Sequence, residues 1–597
     1  MEPEFTVTKF HIDYFNPLGR HWTSGLRSVR IDLGKSGETY TAPHASEPVI
    51  TETVGDLLDV NTPRRFDSGA LLAINDSIRH FFEREGLLAV KVYVDPSEIQ
   101  GSAQLQDVRA DGDTDLHLVV LVGRVGQVHV AVSGHKQPME NELEARIRRN
   151  SPVRAARSAS TQPSDAALLK KNALDDYIFR LNRQPGRRVD ATIAPGNDPG
   201  TINLNYLVQE SKPWSIYSQV SNTGTRQTRP LRERFGVLDS NLTGNDDVLS
   251  IDYVTADFDP ASQAVMASYE FPILADSTLR ARTYGSYSSF VASDVGLGDE
   301  HFSGNQTVAG AELIDNIYQY HALFLDAFAG MRFESISSAN QTLSTEGSAD
   351  FGIPYIGLRL QRATAESSLF ASVTGESGFT EADQTELDAL GRTDIDKRFG
   401  VLQTDVEYSF FLEPLVHPNQ YEQASGPMAN EVAFSFRGQS ALGSRLVPEE
   451  QQTVGGLYTV RGYPESLTAG DDMILASAEY RLHVPRLFTP AAPQKIHWLG
   501  NDESMRWVPD RPGGQADWDL ILKAFVDGAH VWQSDRVVGE DDAALLSVGL
   551  GAELQFRQNL NAQVYWGVPL VDVNGPSVDE SVKAGSSRVS FSVTLFY

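Results

Sequence analysis

The sequence predicts a transmembrane β-barrel of about sixteen antiparallel strands, preceded by two small α+β units, and three observations carry the prediction. Beyond Lys212-Pro213-Trp214 the helical period vanishes. It gives way to alternating apolar and polar segments, roughly 10 residues each, separated by Gly, Asp, Asn and Pro. Sixteen such segments can be counted, and an even number lets every strand edge find a partner where hydrocarbon offers none. The chain also ends on an alternating strand: Val589, Phe591, Val593, Leu595 and Tyr597 oppose Arg588, Ser590, Ser592 and Thr594.

Up to about Ser211, strands and helices alternate instead. Residues 5–14 are read as one strand. Asp67 or Ser68 can N-cap a helix that carries Leu71, Ile74, Ile78 and Phe81 at helical spacing and stops at Gly86. Residues 88–94 and 116–122 follow as strands, giving the order strand, helix, strand, strand. The order then recurs. Residues 125–132 form a strand, 140–149 a short helix and 165–181 a longer one presenting Leu168, Leu174, Ile178 and Leu181. Strands at 188–194 and 202–208 complete the unit. The expected domains are therefore 1–124, 125–211 and 212–597, with an insertion near 16–65 that holds a hairpin around Gly34 and Gly37. A sheet of this size offers an edge onto which an extended peptide can add as a further strand. The bland reading, that both units are spacers, fits the pattern equally well.

In the barrel region Ile251 and Tyr253 alternate with Ser250 and Asp252, and Val432, Phe434 and Phe436 alternate with Ala433, Ser435 and Arg437. Lipid outside and water inside require such a two-faced wall. The segments begin near residues 213, 231, 247, 262, 277, 303, 318, 350, 367, 399, 430, 471, 518, 545, 560 and 587. A soluble sandwich or propeller is the competing reading. No blade-length repeat supports it.

Composition narrows the function. No run approaches the roughly 18–20 apolar residues of a membrane-spanning helix. There are no cysteines, which removes disulfide and thiolate chemistry. Lys and Arg total 50 against 79 Asp and Glu, and a net charge of −29 argues against a nucleic-acid partner. The start Met1-Glu2-Pro3-Glu4 has neither a basic segment nor an apolar core, so the expectation is that this chain carries no signal peptide, which an exported protein needs.

The most informative run is Val460-Arg461-Gly462-Tyr463, in a Gly-rich connection between two strands that can fold inward, near 443–470. Downstream lies Phe525-Val526-Asp527-Gly528-Ala529. Taken as a strand, this stretch puts Leu520, Leu522, Ala524 and Val526 toward lipid, and Lys523, Phe525 and Asp527 toward the lumen. A guanidinium meeting a carboxylate in a confined lumen can form a bidentate, charge-assisted pair. Two unrelated surface charges are the alternative that sequence separation favours.

These residues resemble a known family. The mixed units look like POTRA domains, and the barrel looks like that of the two-partner secretion transporters, the TpsB group within the wider family that includes BamA. The tetrapeptide at 460–463 is similar to the family's VRGY motif, carried by a sixth outer loop folded back into the pore. Phe525 and Asp527 resemble its FxDxG strand motif, with Ala529 in place of the last Gly. Leu181-Asn182-Arg183-Gln184-Pro185-Gly186 and Ser221-Asn222-Thr223-Gly224 extend the likeness, which covers about residues 70–597. No plug helix is evident before the first unit, unlike well-known members. The resemblance implies a loop–barrel lock of Val460, Arg461, Gly462, Tyr463, Phe525 and Asp527, and a terminal strand marked by Phe591 and Tyr597. It implies a bacterial outer-membrane protein with POTRA domains in the periplasm, which captures an unfolded secreted exoprotein of β-helical type and exports it. The partners would be that exoprotein, outer-membrane lipid and the barrel-assembly machinery for the protein's own insertion. A BamA-like insertase is the alternative, and a passive porin would have no use for the POTRA units.

Nothing points to catalysis. There is no Walker A run, HExxH pair or GxSxG elbow, and no cofactor is implied. The 13 histidines, among them His301, His321 and His530, show no ligand-like spacing. Asp394, Asp396, Glu376, Glu381, Asp383 and Glu386 gather in one outer loop, where solvated charge is the simpler reading than a divalent cation. No enzyme is expected.

Overall fold

The computed structural model describes residues 3–43, 49–101, 106–134, 140–153, 165–274, 278–295, 300–342, 344–423, 426–498, 501–575, 578 and 580–597. The chain forms two compact units, Met1–Ser211 and Lys212–Tyr597.

In the first unit, β1 (Glu4–Val7), β3 (Arg30–Ser36), β4 (Thr39–Thr41), β5 (Val49–Thr53) and β6 (Arg64–Asp67) build a five-stranded sheet in the order β1-β6-β4-β3-β5. A second sheet holds β2 (Lys9–Tyr14), β7 (Val90–Val94) and β10 (Asp115–Val122) in the order β2-β10-β7. A small ribbon of β8 (Ile99–Gln100) and β9 (Gln106–Asp107) lies between β7 and β10 in the chain. Residues 5–14 are therefore two strands. The chain breaks at Thr8, whose N–H turns to the Thr114 carbonyl at 2.8 Å, so β1 pairs with β6 while β2 runs parallel to β10. Residues 16–65 are part of the same hydrophobic core: Ile31, Leu33, Val54 and Leu57 pack with Leu71, Ile74, Ile78 and Phe82 of the helix Ser68–Arg84. Asp67 caps that helix by accepting the Ala70 N–H at 2.7 Å, worth about 1 kcal/mol. The strand expected at 88–94 starts at Val90, because Ala89 adopts a left-handed φ of 57° and the Leu88 N–H bonds Leu169.

The following residues repeat the topology. β11 (Arg124–Gly134), β12 (Arg187–Pro195) and β13 (Thr201–Glu210) form a sheet ordered β11-β13-β12, with β13 parallel to β11 and antiparallel to β12. The helix expected over 165–181 is shorter, Lys171–Leu181. Ahead of it, Leu168 and Lys170 make backbone bridges to Arg124 and Leu87, and that extended pairing excludes a helical turn.

The second unit is a closed sixteen-stranded antiparallel barrel. Its first eight strands are β14 (Trp214–Ser221), β15 (Arg232–Asp239), β16 (Val248–Ala256), β17 (Asp259–Pro272), β18 (Arg280–Val295), β19 (Glu300–Tyr320), β20 (Leu323–Asn340) and β21 (Thr345–Ala363). The wall continues with β22 (Ser367–Thr380), β23 (Arg398–Phe411), β24 (Asn430–Ser440), β27 (Asp472–His483), β30 (Trp518–Trp532), β31 (Ala543–Phe556), β32 (Leu560–Pro569) and β33 (Arg588–Phe596). Short ribbons β25 (Gln452–Val454) with β26 (Thr468–Gly470), and β28 (Gln494–Trp498) with β29 (Asn501–Met505), sit in two of the connections. The largest offsets from the expected starts are five residues, at β20 (318 against 323) and β21 (350 against 345). Tyr318 and Tyr320 still belong to β19, and the turn comes at His321 with its φ of 51°. β21 begins in the polar stretch Thr345-Glu346-Gly347-Ser348, which shows no alternation.

Side chains alternate across the wall. Ile251, Phe434, Leu522, Val526, Val589 and Val593 are exposed outward, whereas Asp252, Glu334, Glu479, Asp527, Ser590 and Ser592 are buried inward. Closure occurs where β33 meets β14, through only five paired positions from Tyr217–Phe596 to Ser221–Ser592. Tyr597 extends this seam by two backbone bonds with Ile216, at 2.8 and 3.1 Å, and the Phe591 carbonyl accepts the Asn222 N–H while the Phe591 N–H donates to Asn222 Oδ1. We call the end where β14 begins the near rim and the opposite end the far rim.

Candidate functional site

The connection from β24 to β27, residues 441–471, leaves the far rim and folds into the barrel. Antiparallel pairing of β25 and β26 gives it a rigid stem. Its tip turns on Gly455 (φ 111°), Gly456 (φ 102°) and Gly462 (φ 96°), a left-handed region open to glycine at little cost. The four residues 460–463 then point in separate directions. Val460 is fully buried among Val454, Leu467, Leu475 and Val531. Gly462 lies against the backbone of β32: a Cβ there would stand 2.7 Å from the Gly567 carbonyl carbon, and a Cβ on Gly567 would stand 2.6 Å from the Gly462 nitrogen. The Tyr463 hydroxyl donates to the Val571 backbone oxygen at 2.9 Å and lies 3.1 Å from that of Leu546.

Arg461 faces β27 and β30. Its Nε and Nη2 each donate to Asp527 at 2.8 Å, and its own backbone N–H donates to the same carboxylate at 3.0 Å. Ser477 Oγ donates to Asp527 at 2.6 Å, and Arg461 Nη1 bonds Glu479. The guanidinium lies 3.6 Å from the centre of the Phe525 ring and 4.8 Å from that of Tyr565, which meet edge to face. Burial disfavours the Arg461 charge, but the Asp527 and Glu479 bonds more than offset it and raise its pKa. Lys523 continues the network by donating to Tyr565 at 2.7 Å and pairing with Glu553 at 2.6 Å. Ala529, where glycine was expected, packs its methyl group into the cluster around Val460 and Tyr463, and β30 runs through it in unbroken register.

Two further anchors hold this loop. Glu450 pairs at 2.5 Å with Arg332 of β20, which also pairs with Glu376 of β22 at 2.9 Å. At the far rim Arg392, from the connection 381–397, grips Asp471 with both terminal nitrogens at 2.5 and 2.8 Å. Arg445 grips Glu540, from the connection 533–542, in the same bidentate way at 2.7 and 2.7 Å, and Arg392 Nε reaches Glu540 at 2.8 Å. Asp471 also accepts the N–H groups of Leu446 and Ser534. Burial alone would raise the Glu540 carboxyl, yet the Arg445 and Arg392 bonds hold it at about 2.

Of the six acidic residues read as an outer-loop cluster, Glu381, Asp383, Glu386, Asp394 and Asp396 share the connection 381–397, and Glu376 belongs to β22. Glu376 faces the lumen, Asp383 and Glu386 form the capping box of the helix Gln384–Asp388, and Asp396 accepts the Arg445 N–H at 2.8 Å. The sequence reading missed Ser477, Glu479, Tyr565 and Gly567. Once β27 and β30 are aligned, Ser477 stands opposite Asp527 and Glu479 opposite Phe525, so strand register was the signal.

A closed sixteen-stranded barrel with an ion-paired loop in its lumen, following α+β units in the chain, has the fold of the POTRA-bearing outer-membrane barrels. Residues 200–494, just under half of the chain, match the family model described as haemolysin secretion/activation protein ShlB/FhaC/HecB, a likeness to the two-partner secretion transporters. The heme/hemopexin transporter protein HuxB of Haemophilus influenzae (strain 86-028NP) is 21% identical over 212 residues, 35% of this chain. The match spans 33% of that relative's length. Among solved structures, CdiB from Escherichia coli has a TM-score of 0.60 at 14% identity and CdiB from Acinetobacter baumannii 0.55 at 15%. Both cover 100% of this chain and 91% of their own, a likeness of fold.

Proposed function

We propose that this chain exports a partner exoprotein across the outer membrane, capturing the unfolded cargo on its POTRA-like sheets and passing it through the barrel lumen once the loop 441–471 yields. The observation that carries this reading is a long loop held inside a closed barrel by ion pairs, in a chain that also carries two three-stranded sheets whose outer strands, among the described residues, pair with no further strand. The lock residues are structural and gating groups, since a salt bridge supplies no energy by itself. The near rim faces the periplasm in this reading, and insertion into lipid relies on the barrel-assembly machinery. The test is co-expression with the exoprotein of a neighbouring gene: cargo should reach the medium, and deleting residues 1–211 should retain it inside. Cargo secretion that survives the deletion would leave the capture step without support.

Strand β12 gives capture a defined edge. The Val189 N–H turns away from β13 to bond Asn182 Oδ1 at 2.6 Å, and Arg187 N–H bonds Gln184 O at 3.2 Å. Alternation then directs the N–H groups of Ala191 and Ile193 outward as well, and among the described residues no strand covers them. A proline at Ile193 should weaken cargo binding by fragment 1–211 without unfolding it, as judged by circular dichroism. Proline at Thr192, whose N–H serves the β13 ladder, should destabilise the sheet instead. Equal binding by the wild-type and Ile193→Pro fragments would favour the spacer reading.

Topology is testable too. The connection 484–517 joins β27 to β30 at the near rim, where the Arg557 N–H bonds Asp517 O and Arg506 pairs with Asp517 at 2.7 Å. It is long for a side where short turns are the rule. Cysteine at Ser504 should resist an impermeant thiol reagent in intact cells and react after the outer membrane is permeabilised. Labelling in intact cells would invert the orientation.

A further inference from the structure

The wall that carries the lock has an apolar trough on its other face. Strand register builds it. Phe436 stands opposite Ala476, which stands opposite Gly528, which stands opposite Leu546. On the next outward rung the partners run Tyr408, Phe434, Ala478 and Val526. Each rung thus descends from bulky side chains on β23 and β24 to alanine on β27, and glycine extends the floor on β30. The result is a groove of about 420 Å³. No charged side chain lines it. Ser477 and Asp527, on the inner face of the same two strands, lie between the floor residues in sequence.

We propose that this groove holds one acyl chain of a phospholipid, seated behind the Arg461 anchor. Lipid tails are as apolar as the wall, so association here is driven by packing, not by escape from water. An unfilled trough leaves its lining atoms without dispersion partners. A flexible hydrocarbon chain can follow the trough, whereas a protein partner would need a complementary ridge. The trough is continuous with the lipid-facing band, and its aromatic wall extends toward the near rim through Phe410, stacked on Tyr408 and Phe434. Aromatic rings of this kind mark a membrane interface. The chain therefore enters from the near-rim leaflet. That this leaflet is the phospholipid one rests on the orientation proposed above. The basic groups that lipid A phosphates require are absent from the lining.

The test is native mass spectrometry of the full chain after reconstitution with dipalmitoyl phosphatidylethanolamine, and separately with lipid A. The wild-type barrel should retain one phosphatidylethanolamine that survives collisional activation. Ala476→Leu with Ala478→Leu, which fills the floor, should lose that adduct. Val564→Leu, on the lipid face of β32, should keep it. Each single alanine substitution should weaken the adduct, so the result does not depend on the double variant alone, and heat-resistant gel mobility reports whether each barrel is folded. An adduct unchanged in the filled variant would overturn the proposal. So would an adduct formed with lipid A only, or a dimer mass that the filled variant abolishes. None of these outcomes depends on cargo export, so the function proposed above stands or falls separately.

Discussion

Asp527→Ala is expected to leave Arg461 in the lumen without its main partner and to impair transport while the barrel still inserts and resists denaturation. Asp527 is fully buried and accepts four bonds, from three Arg461 N–H groups and from Ser477. Breaking a buried pair from one side costs on the order of 3–5 kcal/mol. The lumen is wet, and Glu479 still reaches Arg461, so the measured loss should fall below that range. Arg461→Ala should give the same transport defect, and the double variant should be little worse than either single one, because directly coupled residues are not additive. Additive losses in a transport assay would mean that the two act separately. The loop itself should stay in place in all three variants, since Glu450 and Asp471 hold it elsewhere. Spin labels on the loop tip would show this as an unchanged mobility.

Asp471→Ala should have the larger effect on loop position. Its carboxylate ties three far-rim connections together through Arg392, Leu446 and Ser534, all by bonds of 3.1 Å or less. The loss leaves the Arg392 guanidinium with Glu540 as its one remaining carboxylate partner, again at a cost on the order of 3–5 kcal/mol before screening. Combining Asp471→Ala with Arg461→Ala should release the loop, seen as a rise in single-channel conductance that neither change produces alone. A fully open channel in the Arg461→Ala protein would show that the far-rim clasp holds nothing. The clasp also carries a pH signature. Glu540 is depressed from 4.5 to about 2 in the folded protein, so its stabilising contribution is present above pH 4.5 and disappears as pH falls toward 2. Loop mobility should therefore increase over that acid window.

Much of the barrel was legible because its physics is local. Alternation requires only that one face meet lipid, and a two-residue period survives in segments such as 430–437 and 589–597 without knowledge of their neighbours. Legibility failed where the chain answers to something distant. Residues 5–14 alternate like one strand, but the partners of β1 and β2 lie in different sheets, and no local feature of Thr8 announces the change. Residues 165–170 have helical composition, yet backbone bridges to Leu87 and Arg124 keep 168–170 extended. In the candidate site, Arg461 and Asp527 could be paired from the motif and from the inward face of β30. Arg392, Arg445, Asp471 and Glu540 could not. They sit on three connections without periodicity, and charged loop residues in a sequence look the same whether solvated or buried. Ser477 and Glu479 fall between these cases, hidden until the register of β27 against β30 is known.

The central claim is that a partner protein crosses the membrane through this barrel. Its most direct test reconstitutes the full chain in lipid vesicles and adds the unfolded exoprotein from the POTRA side, followed by external protease. The account predicts cargo protected inside wild-type vesicles, a strong loss of protection with Asp527→Ala, and none in vesicles without the protein. Cargo that stays fully digestible, or that integrates into the bilayer as a barrel of its own, would contradict it.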